Sequence, residues 1–213
     1  MPELSTTNTT QQEERVIVIS AEKHDTRVMV PREYEKFREQ LNMEYQLLAD
    51  ASLHTGMRMV ELQNFMLHPK WFFPAERCID IPRYELENKK QVMVIKKKKC
   101  IHKQRSVRLS IKGVEAIEAL LKADLTKIPS RSAMNEAFKR AAKKAGISEK
   151  GVTPKMFRKT LISWLVACYP EKHILIAMHS GHSVDVMQEH YLGINFAKND
   201  VEDMRSYLRG WGE

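Results

Sequence analysis

The sequence predicts a mainly α domain with a small antiparallel β-sheet, an α+β class, on three observations. Apolar residues recur at helical spacing in successive segments, and short β-type runs fall between them. A length of 213 residues with 43% hydrophobic content can bury one good core and leaves little room for two.

Taken in order, residues 1 to 14 are rich in Thr, Gln, Asn and Glu without apolar period, which predicts a disordered polar tail. Residues 15 to 19 and 26 to 30 are short β-type runs. Pro31-Arg32-Glu33-Tyr34 opens a helix whose apolar face holds Tyr34, Phe37 and Leu41, because proline suits the first helical turn. Further helices are predicted at about 43 to 56, 58 to 66, 112 to 122, 131 to 145, 155 to 167, 171 to 179, 184 to 191 and 198 to 209. Strands are predicted near 78 to 82, 91 to 97 and 105 to 109.

The formal net charge is +8, with Lys and Arg concentrated between Lys89 and Lys112 and between Lys139 and Lys159. Such a balance implies a polyanionic partner, most simply double-stranded DNA. A membrane surface fits less well, since the basic tracts do not lie on a long amphipathic helix. No run of eighteen apolar residues occurs, the N-terminus is polar, and Cys78, Cys100 and Cys168 are scattered singly, so a soluble, cytoplasmic protein is expected. His179, His182 and His190 have ligand-like spacing, but no Cys-x-x-Cys accompanies them, and a metal site is not expected.

Three segments carry chemistry. In His54-Thr55-Gly56-Met57-Arg58-Met59-Val60-Glu61-Leu62, Arg58 and Glu61 lie one helical turn apart, so a carboxylate can hold a guanidinium. In Thr153-Pro154-Lys155-Met156-Phe157-Arg158-Lys159-Thr160, two cations, Lys155 and Arg158, again share a face. The third, Ser180-Gly181-His182-Ser183, is followed nine residues after the histidine by Tyr191 in Gln188-Glu189-His190-Tyr191-Leu192-Gly193. Fixed cations beside a phenol suit attack on a phosphodiester: the cations neutralise the non-bridging oxygens as the pentavalent state forms, and the phenol is a nucleophile. Arginine presents a planar fork matching two phosphate oxygens, which lysine cannot do.

These segments resemble the tyrosine recombinase (integrase) family, whose members carry Thr-Gly-Leu-Arg-x-x-Glu-Leu, His-x-x-Arg and Leu-Gly-His followed by Tyr at this separation. The resemblance covers roughly Val30 to Gly210. Two positions depart from the pattern. Lys155 stands where most bacterial members have histidine, which resembles the Lys-x-x-Arg form of archaeal and archaeal-virus integrases, and Ser180 replaces leucine.

The resemblance implies the tyrosine recombinase catalytic-domain fold and site-specific DNA strand cutting and rejoining through a covalent 3'-phosphotyrosine on Tyr191. It implies Arg58 and Arg158 as transition-state clamps, Glu61 in support, His182 and Lys155 as the acid/base neighbours, and no cofactor. It further implies a hairpin lysine that protonates the leaving oxygen; the run Val92-Met93-Val94-Ile95-Lys96-Lys97-Lys98-Lys99 matches best at Lys97. Lys96, Lys98, Lys99, Lys103, Arg105 and Lys159 are then expected to contact DNA. A homotetramer on DNA is expected, a monomer in solution being the other state left open.

Residues 15 to 213 are expected to form the catalytic domain without a separate N-terminal DNA-clamping domain, as either a minimal recombinase or a piece of a longer chain. The tail helix, about 198 to 211 with Val201, Met204, Tyr207 and Leu208 as its apolar series, can dock on a neighbouring subunit or pack on its own domain. A type IB topoisomerase-like enzyme and a catalytically silent DNA-binding regulator are the other functional classes.

Overall fold

The computed structural model describes residues 22–23, 26–82, 84–87, 92–95, 104–123, 125, 128–191 and 194–213. The expectations for residues 1 to 19 lie outside these. After β1 (Glu22–Lys23) and β2 (Thr26–Arg27) come three helices, α1 (Pro31–Glu39), α2 (Met43–Thr55) and α3 (Met59–Leu67). Five short strands follow: β3 (Phe72–Phe73), β4 (Cys78–Ile81), β5 (Tyr84–Glu87), β6 (Val92–Ile95) and β7 (Arg105–Arg108). The remainder is helical: α4 (Ile111–Lys122), α5 (Arg131–Lys144), α6 (Lys155–Cys168), α7 (His173–Ser180), α8 (Val184–Tyr191) and α9 (Lys198–Tyr207). The class is mainly α with a small antiparallel sheet.

Helix boundaries follow local chemistry. The Asn42, Ser110 and Ser130 side chains accept from the main-chain N–H groups of Tyr45, Gly113 and Ala133 at 3.0, 3.1 and 3.2 Å, which caps α2, α4 and α5. Gly56 ends α2 in the left-handed region at φ 60°, a conformation glycine adopts without strain.

Strands β3, β4 and β7 form one antiparallel sheet in the order β3-β4-β7. In the β4–β7 ladder Ile79 faces Val107 and Ile81 faces Arg105; Ile79, Ile81 and Val107 are fully buried, the alternation expected of a sheet with one covered face. Strands β5 and β6 pair separately. β5 was not predicted, because its Glu85 and Glu87 dilute the apolar signal on which strand prediction rests.

Two helices form the centre. α2 buries seven consecutive or near-consecutive positions from Leu48 to Thr55 against α4 and α6, and α6 buries Phe157, Leu161, Trp164 and Leu165. Phe138 and Phe157 meet edge to face at 5.2 Å, with Phe37 at 5.8 and 6.1 Å from them; each such side chain contributes about 2 to 3 kcal/mol by burial. The extended residues after β2 are held on α6, as the Met29 N–H donates to Thr160 Oγ1 at 3.2 Å and Trp164 Nε1 donates to the Met29 carbonyl at 2.8 Å.

The tail helix α9 packs on its own domain. Met204, Leu208 and Trp211 are buried, Tyr207 Oη donates to Glu35 at 2.7 Å, and the Trp211 ring lies 6.0 Å from Tyr169 and 5.6 Å from His179. Among the described residues no single helix is long and apolar enough to cross a membrane.

Candidate active site

The chain brings its three motif segments to one place because α2, α6 and α7 pack together. Arg58 follows the Gly56 turn and serves as the residue that starts α3. The predicted same-face pairing with Glu61 therefore arises differently: Glu61 Oε2 accepts from the Arg58 main-chain N–H at 2.8 Å while Oε1 accepts from Arg58 Nη1 at 2.9 Å. The carboxylate thus fixes both the backbone and the guanidinium of Arg58. The Arg58 side chain stays 32% exposed and that of Glu61 is wholly buried.

Arg158, on the first turns of α6, donates Nη1 to the Gly56 carbonyl at 2.7 Å and Nη2 to the Ser180 carbonyl. Its Nη2 also lies 3.3 Å from His182 Nε2. His182 sits in the turn between α7 and α8, and its ring centroid is 6.0 Å from that of Tyr191, the rings tilted by 24°. Tyr191 closes α8 and is 8% exposed.

The charges are mutually tuned. Burial alone would raise the Glu61 carboxyl, but Arg105, Arg58 and Arg158 hold it down to about 2. Burial, then Arg105 and Arg58, lowers Arg158 to about 9, which leaves it charged at neutral pH. Burial raises the Tyr191 phenol, with Arg158 and Arg58 opposing. The two guanidinium groups thus oppose burial and favour the phenolate.

A cavity of about 580 Å³ collects Arg58, Lys155, Arg158, Lys159, His182 and Tyr191, so all of these sequence-predicted residues share one surface. Arg131, at the start of α5, lines it too. Sequence reasoning missed Arg131 because nothing local distinguishes it; only the fold brings α5 beside α6. A second cavity, about 670 Å³, shares Arg58 and His182 and adds Arg105, Arg108 and His179.

One expectation changes. Arg105 was expected to contact DNA, yet its side chain is 7% exposed and its guanidinium is committed internally, Nη2 to Glu61 Oε2 at 2.5 Å and Nη1 to the His179 carbonyl. His179, one of the spaced histidines, uses Nδ1 to accept the Arg108 main-chain N–H at 3.1 Å, a structural role. Lys96, Lys97, Lys98, Lys99 and Lys103 lie outside the described residues.

No protein-family model and no curated protein sequence matches this chain. Solved structures do. XerA recombinase is similar over 87% of this chain and 66% of its own length, at 20% identity and a TM-score of 0.60. The Tn1549 transposon integrase in complex with circular intermediate DNA is similar over 84% of this chain and 66% of its own, at 17% identity and a TM-score of 0.62. XerH site-specific recombinase bound to a palindromic difH substrate is similar over 86% of this chain and 53% of its own, at 22% identity and a TM-score of 0.56.

The fold is that of a tyrosine recombinase catalytic domain. The chain spans 66% of the length of the first two of these proteins. Within this fold Arg58, Arg158, His182 and Tyr191 line one cavity together with the cations Lys155, Lys159 and Arg131.

Proposed function

We propose that this chain cuts and rejoins double-stranded DNA at specific sites as a tyrosine recombinase. The observation that carries the reading is the convergence of Arg58, Arg158, His182 and Tyr191 on one cavity that also holds Lys155, Lys159 and Arg131. Two guanidinium groups, each oriented by internal hydrogen bonds, present donors to the non-bridging oxygens of a phosphodiester. Preorganised donors of this kind stabilise a pentavalent phosphorane without reorganisation.

Tyr191 Oη forms a bond to phosphorus while the bond from phosphorus to the 5'-oxygen breaks, leaving a 3'-phosphotyrosine and a free 5'-hydroxyl. The phenolic proton is lost on attack and the departing oxygen takes one up; His182 and Lys155, which line the same cavity, are the proposed groups that move them. Return of a 5'-hydroxyl reverses the step, so bond energy is conserved and no nucleotide is consumed. Lys97 is the candidate donor to the leaving oxygen.

The Lys155 variant of the second box supports an archaeal or archaeal-virus element as the source of the recombined DNA. Assembly as a tetramer on DNA belongs to the same reading, as does a catalytic domain spanning residues 15 to 213. Type IB topoisomerase-like relaxation is the second reading, favoured by the tail helix packing on its own domain, since an enzyme that acts as a monomer needs no neighbour's helix. Trapping on nicked duplexes tests the shared chemistry, and relaxation of a supercoiled plasmid lacking paired target sites separates the two. A chain that binds DNA without forming an adduct is a regulator.

A further inference from the structure

The residue that joins the two halves of the site is one to which the proposed chemistry gives no step of its own. Arg105 lies on β7, opposite the buried Ile81 in the ladder, so its backbone is anchored in the sheet. Its Nη2 donates to Glu61 Oε2 at 2.5 Å, the same oxygen that receives the Arg58 main-chain N–H. Its Nη1 donates to the His179 carbonyl, and the next carbonyl along, that of Ser180, receives Arg158. One planar guanidinium therefore bridges the start of α3, which carries Arg58, and the end of α7, which leads to His182.

Gly181 supplies independent support. Its φ of +68° already disfavours other residues, and a Cβ there would come within 3.0 Å of Arg105 Cδ and 3.4 Å of Nε. The glycine before His182 thus leaves room for the Arg105 stem as well as making the turn. With its side chain 7% exposed, Arg105 is poorly placed to be a primary DNA contact.

We propose that Arg105 is a positioning residue for strand cleavage, clamping the Glu61 carboxylate and the His179 carbonyl so that Arg58 and the Gly181-His182 turn keep their relative places. The role rests on the recombinase reading. Arg105 holds the carboxylate and the carbonyl that in turn place Arg58 and the His182 turn, and it does not itself touch the phosphate. A lysine could keep the charge at this position but could not span both acceptors with a rigid fork.

The test measures single-turnover adduct formation on a nicked duplex, affinity for that duplex, and melting temperature, in wild type, Arg105→Ala, Arg105→Lys, Glu61→Gln and the double variant Glu61→Gln/Arg105→Ala. Misplacing groups by about 1 Å costs on the order of 100-fold in rate, and that loss is expected for Arg105→Ala with DNA affinity held within about 3-fold, the span of ordinary context effects. Arg105→Lys should fall between, roughly 10-fold below wild type, as one of two bonds is kept. The double variant should be slower than Glu61→Gln, but by less than the roughly 100-fold lost when Arg105 alone is removed, because part of what Arg105 does passes through Glu61 and part through the His179 carbonyl.

Should Arg105→Ala not fold, Arg105→Lys decides: wild-type rate in that variant overturns the clamp. Rate and affinity falling together in Arg105→Ala would make it a DNA contact and also overturn it. A wild type that forms no adduct overturns the recombinase reading and this role together, whereas a reactive wild type beside an equally reactive Arg105→Ala overturns this role alone.

Discussion

Arg158 Nη2 lies 3.3 Å from His182 Nε2. A guanidinium offers donors only, so in this contact the ring nitrogen is the acceptor. Arg158 thereby orients the His182 ring, whose centroid lies 6.0 Å from that of Tyr191.

Arg158→Lys should therefore not be conservative. The guanidinium serves the Gly56 carbonyl, the Ser180 carbonyl and His182 together, and a single ammonium cannot reach all three. Adduct formation should fall by at least about 100-fold, the scale seen when one oxyanion stabiliser is lost, while circular dichroism stays native. A loss under about 5-fold, close to ordinary context dependence, would place the phosphate elsewhere.

Cleavage should persist in EDTA. In the proposed mechanism Arg58 and Arg158 supply fixed positive charge where a metal would otherwise act, so equal single-turnover rates with EDTA and with magnesium are expected. Strict magnesium dependence would contradict the proposed chemistry.

Arg131→Ala should weaken binding to all duplexes alike. The residue lines the cavity with Lys155 and Lys159, and a phosphate contact carries no sequence information. The slope of log affinity against log salt should drop by about 1. An unchanged slope would remove Arg131 from the DNA path.

Arg131 also marks the limit of what the sequence discloses. Arg58, Arg158, His182 and Tyr191 were legible because each sits in a local box of fixed spacing, and α1 was legible from Pro31 and the Tyr34, Phe37, Leu41 periodicity. Arg131 and the bridge from Arg105 depend on tertiary packing between elements far apart in the chain, for which residue spacing carries no signal. The start of α3 shifted by one residue because Glu61 binds the Arg58 main-chain N–H, which makes Arg58 the entry to the helix rather than its first turn. β5 was missed because it is only four residues long and two of them are glutamates, a residue type depleted in strands.

Stability should fall on mild acidification. Burial lowers the fully enclosed His54 from 6.5 to about 4, and His179 moves in the same direction. The unfolded chain then binds the extra proton, so stability is full above about pH 6.5 and declines as pH drops toward about 4. For His54 alone the loss is roughly 3 kcal/mol at most. Denaturant midpoints measured across this window should show a shallower decline in His54→Phe, which keeps a ring against Tyr207; superimposable curves would contradict the assignment.

The most direct test of the account compares wild type with Tyr191→Phe on nicked duplexes in EDTA, resolved on a denaturing gel with peptide mapping of any adduct. A covalent adduct in wild type alone, mapped to Tyr191, with both proteins binding the duplex equally, is the result predicted. An adduct of equal yield in Tyr191→Phe, or one mapped to another residue, would contradict it.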